Sequence, residues 1–266
     1  IFVTMMISRL SEMDDTDFIP LEGVYESFAD ARAKGEGFAG EKWSELSHQR
    51  TAALLAANDK ETAIPISVST HDYILPTVVG MLLGSHDKVR VLDFGGGPGN
   101  TIPGTLGGLE ESERVEVNIV EMSDVCDIGR DLYQGWDNVH FSSKLPDRDQ
   151  EVELIHLGSS LQYIDDWAAL IKDLRDYNPK YLLLSDVPAG NIPTFVTLQY
   201  FYGAQIKRWF WNLDELTAEI GAQGFELVLK TNYISKYLGK SQLIPMDNFP
   251  KDHQLRHPCH LLFKTA

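Results

Sequence analysis

The segment VLDFGGGPGN, residues 91–100, constrains the fold of this chain more than any other stretch. A short apolar run ends at Phe94 and passes directly into four glycines within five residues. Glycine loses more backbone freedom on folding than other residues, so such a cluster indicates a tight turn or a close approach of backbone to a ligand. A glycine-rich turn after a strand is the usual place of a nucleotide ligand in a parallel sheet.

The rest of the chain supplies further strands for such a sheet. Apolar runs occupy residues 115–121, 138–143, 151–158 and 181–187, and stretches with helical potential lie between them at 101–109, 124–135 and 165–176. Strands that alternate with helices predict a parallel sheet with helical crossovers. After a helix that starts at Asn212 and ends at Gly224, FELVLKTNY and CHLLFKT are expected to pair as an antiparallel hairpin around a long loop at 233–257.

These patterns predict an α/β fold class: a Rossmann-like, doubly wound, seven-stranded sheet with a C-terminal antiparallel strand pair and an N-terminal helical extension. The extension rests on helical spacing of apolar residues in VYESFADARAK, EKWSELSHQRTAALLAAN and THDYILPTVVGMLLG. We therefore expect a mobile tail at 1–18, a helical cap at 19–84 and a ligand-binding domain at 85–266.

The charge and cysteine content exclude several classes of partner. The chain has 39 acidic and 23 basic residues, a net charge of −16, which repels nucleic-acid phosphates and anionic membrane lipids. Cys126 and Cys259 have neither a metal-ligand spacing nor a disulfide framework, so we expect no metal and a cytoplasmic protein. The apolar run within residues 1–10 is too short for a membrane span.

The glycine turn does not match the common phosphate-binding motifs. The G-x-G-x-x-G fingerprint would have its third glycine at Asn100, Pro98 removes a backbone N–H, and no Lys-Ser/Thr pair follows as in a P-loop. Asp93 would repel a pyrophosphate but suits a cationic ammonium group. Glu121 follows Gly97 by 24 residues, near the spacing of an acid that binds ribose hydroxyls. The turn therefore predicts a ligand with an ammonium end and a ribose.

VLDFGGGPG followed by VNIVE resembles motifs I and II of the class I S-adenosylmethionine-dependent methyltransferases, and the resemblance covers residues 88–264. It implies that S-adenosyl-L-methionine is the cofactor and S-adenosyl-L-homocysteine the product. The acid that this family often has after its third strand is absent here. The implied cofactor-binding residues are Asp93, Gly95, Gly96, Gly97, Glu121, Met122, Ser142, Ser143, Gly158 and Ser159.

A narrower resemblance is carried by EGVYESFADARAKGEGF, VLDFGGGPG, GSSLQYIDD and TFVTLQ. These segments are similar to a group of methyltransferases often encoded with bacterial surface-polysaccharide genes. The resemblance implies a small or medium polar acceptor, first a sugar or a sugar-containing metabolite, and transfer to oxygen before nitrogen. Where that group has an arginine-containing segment after the fifth strand, this chain has Asp186, Val187 and Pro188. A homodimer is one possible assembly.

Methyl transfer is an in-line displacement that requires alignment, exclusion of water and often a base. The candidate catalytic residues are His71, His156 and Asp186, and each has a structural alternative. His71 belongs to an N-cap cluster, His156 lies inside an apolar strand, and Asp186 can cap a turn. The candidate substrate-binding residues are Tyr25, Gln162, Tyr163, Gln199 and Tyr200, of which the last two lie with Tyr202 in a polar-aromatic patch at helical spacing.

Two other functions stay open from the sequence alone. One is a protein that binds S-adenosylmethionine as a regulatory subunit without catalysis, which the absence of an obvious base favours. The other is an NAD-dependent oxidoreductase, against which Asn100 and the terminal strand pair argue.

Overall fold

The computed structural model describes residues 20–57, 74–107, 109–201, 203–234, 236–237, 240–241 and 243–266. The predicted tail at 1–18 and the candidate residue His71 lie outside these ranges. No helix within the described ranges is long and apolar enough to cross a membrane.

A seven-stranded sheet lies at the centre of the molecule. Its strands are β2 (Val89–Phe94), β3 (Val115–Val120), β4 (Val139–Ser142), β5 (Leu154–Gly158), β6 (Tyr181–Val187), β10 (Phe225–Asn232) and β13 (Cys259–Thr265). Their order is β10-β13-β6-β5-β2-β3-β4. Strands β2 to β6 pair in parallel, and β13 is antiparallel to both β6 and β10. This confirms the predicted Rossmann-like sheet and its C-terminal antiparallel pair.

Helices cover both faces of this sheet, as a parallel sheet requires. They are α1 (Glu41–Ala57), α2 (Ile74–Leu83), α3 (Ile102–Leu106), α4 (Ser123–Leu132), α5 (Trp167–Arg175) and α6 (Leu213–Ala222). The side chains of each central strand alternate between two apolar layers. Leu92 and Leu182 enter one layer, whereas Val91 and Leu183 enter the other. Asn212 caps α6 as predicted, since its Oδ1 accepts from two backbone N–H groups.

A second, four-stranded sheet combines one strand near the start of the described residues with three strands that follow β6. Its strands are β1 (Leu21–Tyr25), β7 (Ala189–Gly190), β8 (Phe195–Phe201) and β9 (Ala204–Asn212), in the order β1-β8-β9-β7. Strand β9 contacts the short 3₁₀ turn Leu161–Tyr163 that leaves β5. The second sheet therefore lies beside the carboxyl edge of the first. A small hairpin of β11 (Lys236–Tyr237) and β12 (Lys240–Ser241) belongs to the predicted long loop.

Two helical predictions were wrong. The segment VYESFADARAK does not form the predicted helix, since residues 21–25 form a strand and the chain from 26 to 36 is not helical. The other two N-terminal segments contain helices, which begin at Glu41 and Ile74. The predicted helical patch around Gln199 lies on β8, because FVTLQYF is rich in β-branched and aromatic residues and finds partners on both sides. Consequently Gln199 and Tyr200 point to opposite faces, with 9% and 42% of their surfaces exposed.

Candidate active site

The glycine turn leaves β2 with a backbone that only glycine adopts easily. Gly95 has φ +71° and Gly97 has φ +58°. The Gly95 N–H donates to the Val120 carbonyl at 2.9 Å, which ties the turn to β3. A Cβ atom on Gly95 would lie 2.5 Å from Cβ of Ser160, so the turn packs tightly against the end of β5. This turn is therefore built for a close approach of backbone on both of its sides.

The Glu121 carboxylate lies against the glycine turn, and its binding of ribose hydroxyls stays a prediction. Its Oε2 accepts from the Gly97 N–H at 3.2 Å, and its Oε1 accepts from the Met122 N–H at 2.8 Å. Burial raises the pKa of Glu121 above its ordinary value, although these two backbone donors oppose the shift. Each oxygen keeps a further lone pair, so the group can also accept from the hydroxyls of a sugar.

Asp93, His156 and Ser185 form a buried row across β2, β5 and β6. Oδ1 of Asp93 lies 2.8 Å from Nδ1 of His156, and Nε2 of His156 lies 3.0 Å from Oγ of Ser185. Asp93 is 1% exposed and His156 is 2% exposed. Thr101 donates to Oδ2 of Asp93 at 3.2 Å, and a Cβ atom on Gly96 would lie 2.5 Å from that oxygen.

This row changes the interpretation of its members. Asp93 lies beneath the turn with both oxygens bonded inside the protein, so its side chain supports the turn, and its contact with an ammonium group stays a prediction. His156 has both ring nitrogens bonded in the interior, as a structural histidine does. Its catalytic role stays a prediction. The ring also lies beside Gly158, where a Cβ atom would approach Cε1 of His156 to 2.6 Å.

A second polar cluster lies at the carboxyl ends of β5 and β6. Ser159 and Asp186 have φ +55° and +54°, an unusual conformation for residues with side chains. Oγ of Ser159 donates to Oδ2 of Asp186 at 2.7 Å. Gln162 is buried, and its Nε2 donates to Oγ of Ser159 at 3.1 Å and to the Asp186 carbonyl at 3.3 Å. Backbone strain of this kind concentrates at functional sites, where the surrounding structure maintains it.

The predicted substrate residues divide between this cluster and other places. Tyr163 donates to Oε1 of Gln199 at 3.0 Å, and Arg208 donates to the same atom at 3.3 Å, so Gln199 joins the second sheet to the turn after β5. Tyr163 also packs edge-on against Phe38 with ring centroids 4.9 Å apart. Tyr200 faces away from Gln199.

The remaining predicted residues lie at the edges of the site. Tyr25 packs on β1 against the cluster of Phe28 and Val196 rather than against the turn. Ser142 and Ser143 are exposed at the end of β4, and the Ser142 carbonyl accepts from the Glu121 N–H at 3.1 Å. Ser142 and Ser143 therefore lie next to Glu121, which is predicted to bind the same cofactor.

Two residues that the sequence did not point to complete the site. Thr51 of α1 is buried and donates to Oδ1 of Asn100, so the N-terminal helix is anchored on the glycine turn. His260 of β13 accepts at Nδ1 from the Asp186 N–H, 3.3 Å away. The sequence already singled out Asn100, because it stands where the G-x-G-x-x-G fingerprint has its third glycine. His260 carried none, because its partner is 74 residues away in the chain.

Comparison with known proteins agrees with this geometry. A family model described as a methyltransferase domain matches residues 42–230. The chain belongs to the methyltransferase domain family. This confirms the predicted S-adenosylmethionine-dependent methyltransferase and its cofactor, and it favours this activity over the oxidoreductase alternative. No curated protein matches the methyltransferase in sequence.

Solved structures of other methyltransferases have the same fold as this chain. One is the 1,6-didemethyltoxoflavin-N1-methyltransferase of Burkholderia thailandensis, crystallised with 1,6-didemethyltoxoflavin and S-adenosylhomocysteine. It is 14% identical, with a TM-score of 0.50 over 91% of this chain and 99% of that one. Another is the magnesium protoporphyrin IX methyltransferase of Synechocystis, crystallised with S-adenosylhomocysteine. It is 11% identical, with a TM-score of 0.50 over 84% of this chain and 94% of that one.

Proposed function

We propose that the protein transfers the methyl group of S-adenosyl-L-methionine to a small or medium polar acceptor. Transfer to oxygen is the first choice and transfer to nitrogen the second, with a sugar-containing metabolite as the favoured acceptor. The observation that carries the proposal is the Ser159–Asp186 pair, which lies at neighbouring strand ends beside the glycine turn. We expect the reaction in the cytoplasm, since Cys126 and Cys259 are free and buried thiols.

The residues of the glycine turn fit the cofactor. Gly95, Gly96 and Gly97 carry no side chains, so a ligand can approach the backbone of the turn closely, and Glu121 offers two acceptor oxygens for ribose hydroxyls. Asp93 would act from beneath by holding the turn in place. Bound S-adenosyl-L-methionine supplies an electrophilic methyl group on a positively charged sulfur.

Asp186 is the proposed general base. Its carboxylate would take the proton of the acceptor hydroxyl as the methyl carbon leaves sulfur and bonds to the acceptor oxygen. Ser159 donates to Oδ2 and fixes the direction of the carboxylate, and Gln162 holds the carbonyl of the same residue. Because several elements hold Asp186, it needs little reorganisation during the reaction.

The polar lining supports an acceptor that carries hydroxyl or N–H groups. Oε1 of Gln162 is buried and has no hydrogen-bond donor among the described residues. An acceptor hydroxyl would supply that donor, which removes the cost of an unpaired buried carbonyl. The acceptor named for the Burkholderia structure, 1,6-didemethyltoxoflavin, is also a small molecule. The homodimer stays a prediction.

Ligand-induced thermal stabilisation tests the cofactor assignment. We expect S-adenosyl-L-homocysteine, but not NAD, to raise Tm with increasing concentration. Glu121→Gln is expected to weaken binding about 10–100-fold, because hydrogen bonds to a charged group contribute about 1.5–3 kcal/mol. Glu113→Gln, an exposed glutamate outside the site, is the matched control. Unchanged affinity in Glu121→Gln would show that the ribose assignment is wrong.

Isotopically labelled S-adenosyl-L-methionine tests the transfer. Cell extract incubated with the protein and the labelled cofactor is analysed by mass spectrometry, and the labelled product identifies the acceptor. With that acceptor, Asp186→Asn is expected to lower kcat by about 10²–10⁴-fold, the usual contribution of a general base. The exposed Asp147→Asn is the control. Cofactor binding without a labelled product would favour the regulatory alternative.

A further inference from the structure

The pairing of β6 with β13 is irregular where the proposed base lies. Between Leu184 and Val187, β6 advances three residues, while β13 advances two between Leu261 and Cys259. Strand β6 therefore carries one extra residue, which is the definition of a β-bulge. Asp186 lies inside this bulge and has φ +54°. A bulge re-aims a side chain, here the carboxylate that meets Ser159.

A bulge leaves a backbone group without its partner in the ladder, and here a side chain replaces that partner. The Asp186 N–H donates to Nδ1 of His260, which belongs to the opposing strand. Oδ2 and the carbonyl of Asp186 are bonded to Ser159 and Gln162. His260 thus holds the backbone of Asp186 from β13, on the side opposite β5, whose end carries Ser159.

His260 is suited to hold a backbone and not to accept a proton from the substrate. Its side chain is 7% exposed, and its ring packs edge-on against Tyr233 with centroids 5.0 Å apart. Burial, with a contribution from His156, lowers the pKa of His260 to about 4. The ring is therefore neutral near pH 7. Because Nδ1 accepts, the single proton is on Nε2, and neither nitrogen is available as a base.

We infer that His260 is a positioning residue that maintains the bulge at Asp186 and thereby directs its carboxylate. The inference rests on the proposed role of Asp186 for its effect on the rate. Its structural part stands separately, since the hydrogen bond to the Asp186 N–H is a property of the free protein. Removal of the acceptor leaves a partly buried N–H unpaired in a conformation that is already unfavourable.

Three substitutions separate these effects. His260→Leu removes the acceptor. His260→Asn restores an oxygen at the place of Nδ1, whereas the longer His260→Gln side chain brings its oxygen to the place of Nε2. The exposed His140→Leu on β4 is the matched control for loss of a histidine. If His260→Leu does not fold, the comparison of the Asn and Gln variants decides the question.

The first readout is hydrogen exchange of the Asp186 amide, measured by nuclear magnetic resonance on the full chain without ligand. We expect at least about tenfold faster exchange in His260→Leu and His260→Gln, and near-original exchange in His260→Asn. A proton–nitrogen correlation spectrum of the imidazole rings, recorded on the same sample, reports the tautomer of His260. An unchanged exchange rate in His260→Leu, or a proton on Nδ1 of His260, would overturn the inference.

The second readout separates the rate from cofactor binding. With the acceptor found from labelled cofactor, His260→Leu should lower kcat at least about tenfold and leave the Kd for S-adenosyl-L-homocysteine within about twofold, while His260→Asn recovers kcat. Equal loss of both quantities would contradict a positioning role. If Asp186→Asn turns over normally, the base assignment fails, and the amide exchange alone still decides whether His260 holds the bulge.

Discussion

Alanine at Gly95 perturbs the glycine turn in two ways that a control can separate. The φ of +71° costs an L-residue about 1–2 kcal/mol in the left-handed region. The new Cβ would also lie 2.5 Å from Cβ of Ser160, whose Oγ is bonded to the Phe94 carbonyl at 2.8 Å and cannot move away freely. Overpacking of this kind costs about 1–3 kcal/mol. We expect Gly95→Ala to lose about 2–5 kcal/mol of unfolding free energy.

Gly135 supplies the matched control. It has φ +87°, and a Cβ atom there would meet nothing within 4 Å. Gly135→Ala should therefore lose only the backbone contribution of about 1–2 kcal/mol. Both variants are measured by urea unfolding with a circular dichroism signal and linear extrapolation. Equal losses in the two variants would refute the idea that the contact with Ser160 requires glycine at position 95. If Gly95→Ala binds S-adenosyl-L-homocysteine normally, cofactor binding does not require glycine at this position of the turn.

Three further changes test other parts of the structure. Burial raises the pKa of Glu121, so the folded protein binds this proton more tightly than the unfolded chain does. The free energy of unfolding therefore falls as the pH rises from the ordinary pKa of glutamate, about 4.3, to the raised pKa of Glu121. Urea unfolding across that window should show that Glu121→Gln lacks this loss. His156→Leu leaves Oδ1 of the buried Asp93 without its hydrogen-bond partner and should cost about 1–3 kcal/mol. His140→Leu, on the surface, should stay within about 0.5 kcal/mol. Gly221 lies in α6, and a Cβ atom there would meet nothing within 4 Å. Gly221→Ala should therefore stabilise the folded protein by about 0.5–1 kcal/mol, seen as a higher Tm. A lower Tm would contradict the open space around Gly221.

The central sheet was predictable because its information is local. Runs such as VRVLDF and YLLLSDV are bounded by polar residues and turns, and each predicted run became a strand. The contact of Glu121 with the glycine turn was predictable for the same reason, since the carboxyl ends of neighbouring parallel strands meet. Spacing along the chain and the rules of parallel sheets were sufficient for both.

The second sheet and the roles of the Asp93 and His260 side chains were not predictable. Strand β1 pairs with β8, and Thr197 and Glu22, which are bonded across this pair, are 175 residues apart. No local pattern announces a partner at that distance. Asp93 looked like a free carboxylate because the sequence does not show that His156 will lie beside it. His260 was missed because the bulge that creates its task depends on the register of two distant strands.

The pairing of β1 with β8 affects how the chain folds and which strand edges it exposes. Contacts between distant segments form slowly, because a long loop must close first. A chain shortened to the family-matched residues 42–230 would lose β13 from the central sheet and β1 from the second sheet, and the loss of β1 leaves an edge of β8 open. Open strand edges pair with other chains, and β1 covers the edge of β8 while its own five residues leave only a short edge exposed.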